Sequence, residues 1–184
     1  MRDALEQFDS EVLLSPKDIG HTCRRLAMQI LEHQGGKAPC FVGIHTRGVT
    51  LAHRVAEILK PDLGVIEQGA LDISLYRDDL DDLGSRPVLN QTDLPDSVDD
   101  RRIVLFDDVL YTGRTIKAAI DVLADHGRSA SIELAVLIDR GNRELPIMAN
   151  FVGMEVATSK DDYIRVLFEE NDNEEGIFRL TKKG

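Results

Sequence analysis

The sequence predicts an α/β fold built on a mainly parallel sheet. Three observations carry this. Short apolar runs, at Cys40–His45, Ile103–Phe106 and Ser131–Asp139, have the length and continuity of strands buried on both faces. Stretches with apolar residues at helical spacing lie between them. The alternation of the two implies parallel pairing through right-handed crossovers. At 184 residues, a single domain is expected.

Residues 1–14 suit a strand or extended arm containing Val12, Leu13 and Leu14. Ser15 then suits an N-cap, with Pro16 at the first helical position and Asp18 in the first turn. Ile19, Cys23, Leu26, Ala27, Ile30 and Leu31 repeat at helical spacing, and Gly35 and Gly36 end that helix. The strand Cys40–His45 enters Thr46, Arg47 and Gly48, then a helix from Val49 to Leu59 that stops ahead of Pro61. Val65 and Ile66 open another strand region. There Leu71, Ile73 and Leu75 alternate with Asp72, Ser74 and Tyr76, the pattern of a half-buried strand. Leu80 to Asp100 is polar, rich in Asp and holds Pro87 and Pro95. It reads as a long hairpin or flap, or as a solvated acidic loop.

Ile103–Phe106 comes next and runs into Asp107 and Asp108. Tyr111, Thr112, Gly113, Arg114 and Thr115 then lead into a helix from Ile116 to Leu123. The strand Ser131–Asp139 ends in a charged loop, Asp139–Pro146, at the carboxyl end where parallel sheets bind ligands. Phe151 with Val152, and Tyr163–Phe168, predict later strands. Glu169–Glu175 is an acidic turn and Gly176–Leu180 a last strand.

Composition narrows the classes. With 42% hydrophobic and 30% charged residues, the chain is an ordinary soluble globular protein. No run approaches the roughly 18 apolar residues a membrane span needs, and the N-terminus has no apolar signal region. A cytoplasmic protein without membrane partners is expected. Cys23 and Cys40 suit free buried thiols in a reducing cytosol. Of the net charge of −11, residues 78–100 supply −7, which leaves room for a local basic face elsewhere.

The chemistry gathers at strand ends. Gly43–Thr50 fits the P-loop pattern except that Val49 stands where the lysine belongs, which argues against an NTP-hydrolysing loop. Arg47 could still hold pyrophosphate oxygens; otherwise this is a plain strand-to-helix turn with a surface arginine. The adjacent Asp107 and Asp108 suit ribose hydroxyls or Mg²⁺. The N–H groups and hydroxyls of Thr112–Thr115 suit a phosphate at a helix start. No C-x-x-C or H-E-x-x-H pattern occurs, so a zinc site is not expected. The set fits a sugar carrying both a 5-phosphate and a pyrophosphate.

On these residues a resemblance can be named. Ile103–Thr115 resembles the 13-residue phosphoribosyl pyrophosphate (PRPP) motif of type I phosphoribosyltransferases. His45–Gly48, Leu71–Asp79 and Leu137–Pro146 resemble one branch, the PyrR family of bifunctional pyrimidine-operon attenuators and uracil phosphoribosyltransferases. The resemblance covers roughly residues 8–180. It implies a type I phosphoribosyltransferase fold: a mainly parallel sheet flanked by helices, with a flexible flap at about 72–103. A small hood would come from the N-terminal arm and about 138–180.

The resemblance also implies roles. Uracil would attack C1 of Mg²⁺-bound PRPP, giving UMP and pyrophosphate. Asp107 and Asp108 would contact ribose hydroxyls and Mg²⁺, and together with Arg47 form the catalytic set. Thr46, Arg47 and Gly48 would hold pyrophosphate, at a loop where the family often has a cis peptide. Val109, Leu110, Tyr111, Thr112, Gly113, Arg114 and Thr115 would complete the PRPP site, the last four around the 5-phosphate. Ser74, Tyr76 and Arg77 would begin the flap. Leu137, Ile138, Asp139 and Arg140 would read uracil. Arg24, Arg25, Arg140 and Arg143 would bind a stem-loop in pyrimidine-operon mRNA, under control of UMP or UTP, on a homodimer or homotetramer. Asn142 stands where the family commonly has histidine. An attenuator with little catalytic activity, or a purine or orotate phosphoribosyltransferase, are the alternatives.

Overall fold

The computed structural model describes residues 7–33, 38–73, 92–95 and 97–183. The elements run β1 (Phe8–Leu14), α1 (Pro16–Glu32), β2 (Cys40–Ile44), α2 (Arg47–Leu63), β3 (Gln68–Leu71), β4 (Arg102–Leu110), α3 (Arg114–Asp125), β5 (Ser131–Asp139), β6 (Phe151–Glu155), β7 (Asp162–Leu167), α4 (Glu169–Asp172) and β8 (Gly176–Lys182). Five strands form an all-parallel sheet in the order β3-β2-β4-β5-β6. Strands β1, β8 and β7 form a second, antiparallel sheet in that order.

The parallel sheet is buried on both faces because its strands are apolar throughout. All five residues of β2 are buried, as are Ile103–Phe106 of β4 and Leu134–Ile138 of β5. One face carries Phe41, Phe106 and Leu137 against Leu26 and Ile30 of α1 and Leu51, Val55 and Leu59 of α2. The other carries Val42, Leu105 and Val136 against Ile116, Ala119 and Leu123 of α3. Phe41 and Phe106 meet at 4.8 Å between ring centroids, a pairing worth about 0.5–1.5 kcal/mol beyond its burial.

Helix α1 begins as predicted. Ser15 caps it, the Ser15 N–H donates to Asp18 Oδ2 (3.1 Å) and the Asp18 N–H to Ser15 Oγ (3.4 Å), a reciprocal capping box. The end of α2 differs from expectation: the helix passes through Pro61 to Leu63. In the last turn the missing proline N–H removes one bond only, and the stop comes from Gly64 at φ 73°, whose N–H returns to Lys60 O (3.0 Å). Strand β4 is also longer than its apolar run and continues through both carboxylates to Leu110. Leu71 and Ile73 are buried as their alternation predicts. The helix end at Gly35 and Gly36, and the flap residues Ser74, Tyr76 and Arg77, lie outside the described residues.

The small sheet packs on the parallel one through Val166, Phe168 and Ile177, which join the core of α1 and α2. Asp162 is buried at its edge. It accepts from Thr181 Oγ1 (2.7 Å) and Ser159 N–H (2.8 Å), and these bonds hold its carboxyl below the usual range. Among the described residues no helix is long and apolar enough to cross a membrane.

Candidate active site

Two loops meet at the carboxyl ends of β2 and β4. The first is Thr46–Gly48. Its His45–Thr46 peptide is cis, as the family resemblance implies. Arg47 is the first residue of α2, so its N–H and that of Gly48 point out of the helix start. Gly48 presses against β4: a Cβ there would lie 2.4 Å from Phe106 O and 3.3 Å from Asp107 Cα. No side chain fits between them, so glycine is what lets this loop touch the β4 backbone at Phe106 and Asp107.

The second loop follows β4. Asp107 is buried and Asp108 half-buried, and each accepts from the next N–H: Asp108 N to Asp107 Oδ1 (3.1 Å), and Val109 N to Asp108 Oδ1 (3.0 Å). Gly113, at φ 94°, turns the chain into α3 and leaves that helix start without a side-chain cap. Thr112 anchors the turn. Its carbonyl accepts from Glu144 N and Leu145 N (both 3.0 Å), and its Oγ1 from Arg114 N (3.3 Å). The N–H groups beyond Arg114 at the α3 start, with the Thr112 and Thr115 hydroxyls, are donors of the kind that suits a phosphate. Arg114 reaches sideways to Glu144 (2.9 Å), with both side chains about half exposed.

The predicted base loop packs on the second loop. Leu137 and Ile138 are buried within β5, and Asp139 pairs with Leu110 across the sheet. Arg140 is 5% exposed, its guanidinium stacked 4.0 Å over the Tyr111 ring; Nε donates to Thr158 Oγ1 (3.1 Å) and Nη2 to Ser159 O (2.9 Å). Burial lowers its pKa from the ordinary arginine value, against the opposing pull of the Tyr111, Asp162 and Tyr163 charges. Arg143 donates to Tyr111 O (2.9 Å), Gly141 O (3.1 Å) and Ile147 O (3.0 Å) and pairs with Asp139. Asn142 sits at φ 56°, a conformation asparagine tolerates, and its Nδ2 donates to Thr158 O (2.9 Å).

The four arginines expected to bind RNA therefore divide. Arg24 and Arg25 are exposed on α1, with Arg25 donating to Gly153 O. Arg140 and Arg143 are turned inward, bracing Tyr111 and the base loop.

Sequence reading missed what holds Arg47. Its Nε and Nη2 form a fork with Asp172 Oδ2 (3.2 Å) and Oδ1 (2.7 Å) of α4. Beside it Thr50 Oγ1 donates to Asn171 Oδ1 (2.7 Å), and Arg54 grips Glu170 (2.8 and 2.6 Å) and Glu175. Burial opposes the Arg54 charge, but these carboxylates raise its pKa overall. The polar stripe 47, 50, 54 on α2 was visible at helical spacing; its partners lie more than 110 positions away. A cavity of about 670 Å³ lies at the opposite, amino ends of β2, β4 and β5, lined in part by Cys40, Arg102, Ser131 and Glu133, away from the two loops.

Comparison with known proteins now adds to the geometry. The model of a phosphoribosyl transferase domain matches residues 11–173. The bifunctional protein PyrR of Thermus aquaticus is 46% identical over 180 residues, covering 97% of this chain and 99% of its own. The chain belongs to the PyrR branch of the phosphoribosyltransferase family. PyrR of Deinococcus radiodurans is 46% identical, covering 87% of this chain and 88% of its own. A hypoxanthine phosphoribosyltransferase from Staphylococcus aureus shares the fold at a TM-score of 0.69 and 22% identity, over 97% of this chain and 94% of that one. The resemblance at Ile103–Thr115 thus extends to the family and to the fold.

Proposed function

We propose that this PyrR-family chain transfers the phosphoribosyl group of PRPP to uracil, giving UMP and pyrophosphate, and also regulates a pyrimidine operon by attenuation. The observation that carries the reading is the contact of Gly48 with Phe106 and Asp107. It brings the Thr46–Gly48 loop against the strand that carries Asp107 and Asp108 and leads into Thr112–Thr115, which supports reading the two as parts of one PRPP site.

In this reading the Thr46–Gly48 loop and Arg47 hold the pyrophosphate, and the α3 start with Thr112 and Thr115 holds the 5-phosphate. Asp107 and Asp108 accept from the ribose hydroxyls. Uracil enters against β5 and Tyr111, where peptide groups around Leu137–Arg140 meet its polar edge. The N1–C1 bond forms as the bond from C1 to the pyrophosphate oxygen breaks, and the N1 proton leaves. Positive charge grows on the ribose, beside two carboxylates fixed in place before reaction, so positioning and electrostatics supply most of the catalysis. Mg²⁺ fits here as a PRPP-borne ion. Among the described residues no three metal-ligating side chains converge, and Mg²⁺ commonly takes one or two carboxylates plus substrate oxygens. When bound it would neutralise the departing pyrophosphate.

For the regulatory activity, Arg24 and Arg25 on α1 are the exposed candidates for RNA phosphates, with salt-dependent binding. The first test is catalytic. Protein, Mg²⁺ and PRPP are mixed with uracil, hypoxanthine, guanine or orotate in turn. UMP from uracil alone is expected; no UMP would overturn the reading. A gel shift with the operon leader, weakening with salt and with Arg24→Ala, tests the second activity.

A further inference from the structure

We propose that Asp172 is a positioning residue for Arg47, fixing one edge of its guanidinium so that the other edge faces pyrophosphate. The proposal rests on the reading of Arg47 as a pyrophosphate ligand.

The geometry separates positioning from competition. Asp172 takes the Nε–Nη2 edge of Arg47 (3.2 and 2.7 Å), while Nη1 has no partner among the described residues. A guanidinium offers two forks, so one carboxylate on the side edge leaves the end fork, Nη1 with the outer hydrogen of Nη2, for phosphate oxygens. Asp172 is itself tied down, because Oδ2 also accepts from Phe168 N–H (3.0 Å). Its charge is thereby turned toward α4 and Arg47 rather than toward the loop. The pair is partly buried, with side-chain exposures of 35% for Arg47 and 18% for Asp172, so water screens it less than a surface pair.

The neighbouring contacts make this more than a chance pair. Residues 170, 171 and 172 engage Arg54, Thr50 and Arg47 in antiparallel order, so α4 lies along one stripe of α2. Arg54 further stacks over the Phe168 ring at 4.6 Å. The strap joins the β7–β8 connection to the helix that starts at the pyrophosphate loop. A long side chain held before the ligand arrives loses less freedom on binding, which raises affinity without a new contact to the ligand. Arginine at the first position of a helix also faces the positive end of the helix dipole, and Asp172 offsets that repulsion.

The test uses the full chain and compares Asp172→Asn with Glu170→Gln, which loosens the same strap at Arg54. Asp172→Asn is expected to raise the Kd and KM for PRPP about tenfold, leaving the KM for uracil unchanged. Glu170→Gln is expected to lower the unfolding temperature without moving the PRPP constants. In an Arg47→Gln background, Asp172→Asn should have no further effect on PRPP binding, because the two act as one unit. If Asp172→Asn does not fold, Asp172→Glu, which retains the charge on a longer arm, should give a smaller rise of the same sign. Unchanged PRPP constants in the folded Asp172 variant, a fall in them as expected of a competing anion, or an equal rise in Glu170→Gln would each overturn the proposal. A wild-type protein that binds no PRPP overturns the functional reading as well; normal wild-type binding with an indifferent Asp172 overturns the positioning role alone.

Discussion

The starts of α1 and of α2 and α3 are built on opposite plans. Helix α1 closes its own start, with Ser15 and Asp18 supplying acceptors for the exposed N–H groups and an acid in the first turn. The N-cap residues of α2 and α3 supply no side-chain bond, and neither helix has an acid in its first turn. Each instead opens with an arginine, Arg47 or Arg114, against the sign of the helix dipole. Local rules are satisfied where the helix only has to fold and broken where an anion is expected, as functional sites tend to require. The two arginines also differ. Arg114 and Glu144 are about half exposed, and such pairs contribute little. Arg47 and Asp172 are more enclosed, and Asp172 has a second donor. Of the two, the α2 start is the more tightly prearranged.

The sharpest way to break this comparison is Gly48→Ala. A Cβ 2.4 Å from Phe106 O forces the α2 start away from β4 by a displacement on the order of 1 Å, and such shifts cost on the order of 100-fold in activity. The expected result is that loss in kcat/KM for PRPP; wild-type kinetics would show that the Thr46–Gly48 loop need not touch β4. A smaller effect is expected at the other open start. Gly113→Ala places a side chain at φ 94°, 3.3 Å from Ile147 Cβ, with a backbone cost of about 1–2 kcal/mol. Reshaping the phosphate turn should raise the KM for PRPP about tenfold with a modest fall in unfolding temperature. A rise confined to the uracil KM would place the phosphate elsewhere.

Much of this was readable locally. The apolar runs that became β2, β4 and β5, the Ser15 cap, and the carboxylates followed by Thr112–Thr115 are each set by neighbours in sequence. So is the pairing of an apolar strand with a glycine-led helix start. Pro61 was misread because a proline in the last turn costs one hydrogen bond, while the stop belongs to Gly64. The Arg47 strap was not readable, since Glu169–Glu175 shows only that it is acidic and polar. Nothing local says which of 22 basic residues it meets. The inward turn of Arg140 is likewise tertiary, created where Tyr111 and Thr158 close around it.

The smallest expected effect comes from the closed start. Ser15→Ala removes the α1 cap and should cost about 1 kcal/mol of stability, lowering the unfolding temperature by about 2–4 °C for a chain of this size. The kinetic constants should stay unchanged, because α1 contributes no group to either loop. Acid supplies a second readout. Ser15 holds the Asp18 carboxyl below its ordinary 3.8, so the folded pKa is depressed relative to the unfolded one. The stabilising contribution of that carboxylate is present above pH 3.8 and is lost as pH falls through the folded value. The stability gap between wild type and Ser15→Ala, measured by urea titration at neutral pH and again below 3.8, should therefore narrow in acid. A gap that stays constant would remove the reciprocal bond from the account, and a raised KM for PRPP would mean that the closed and open helix starts are coupled after all.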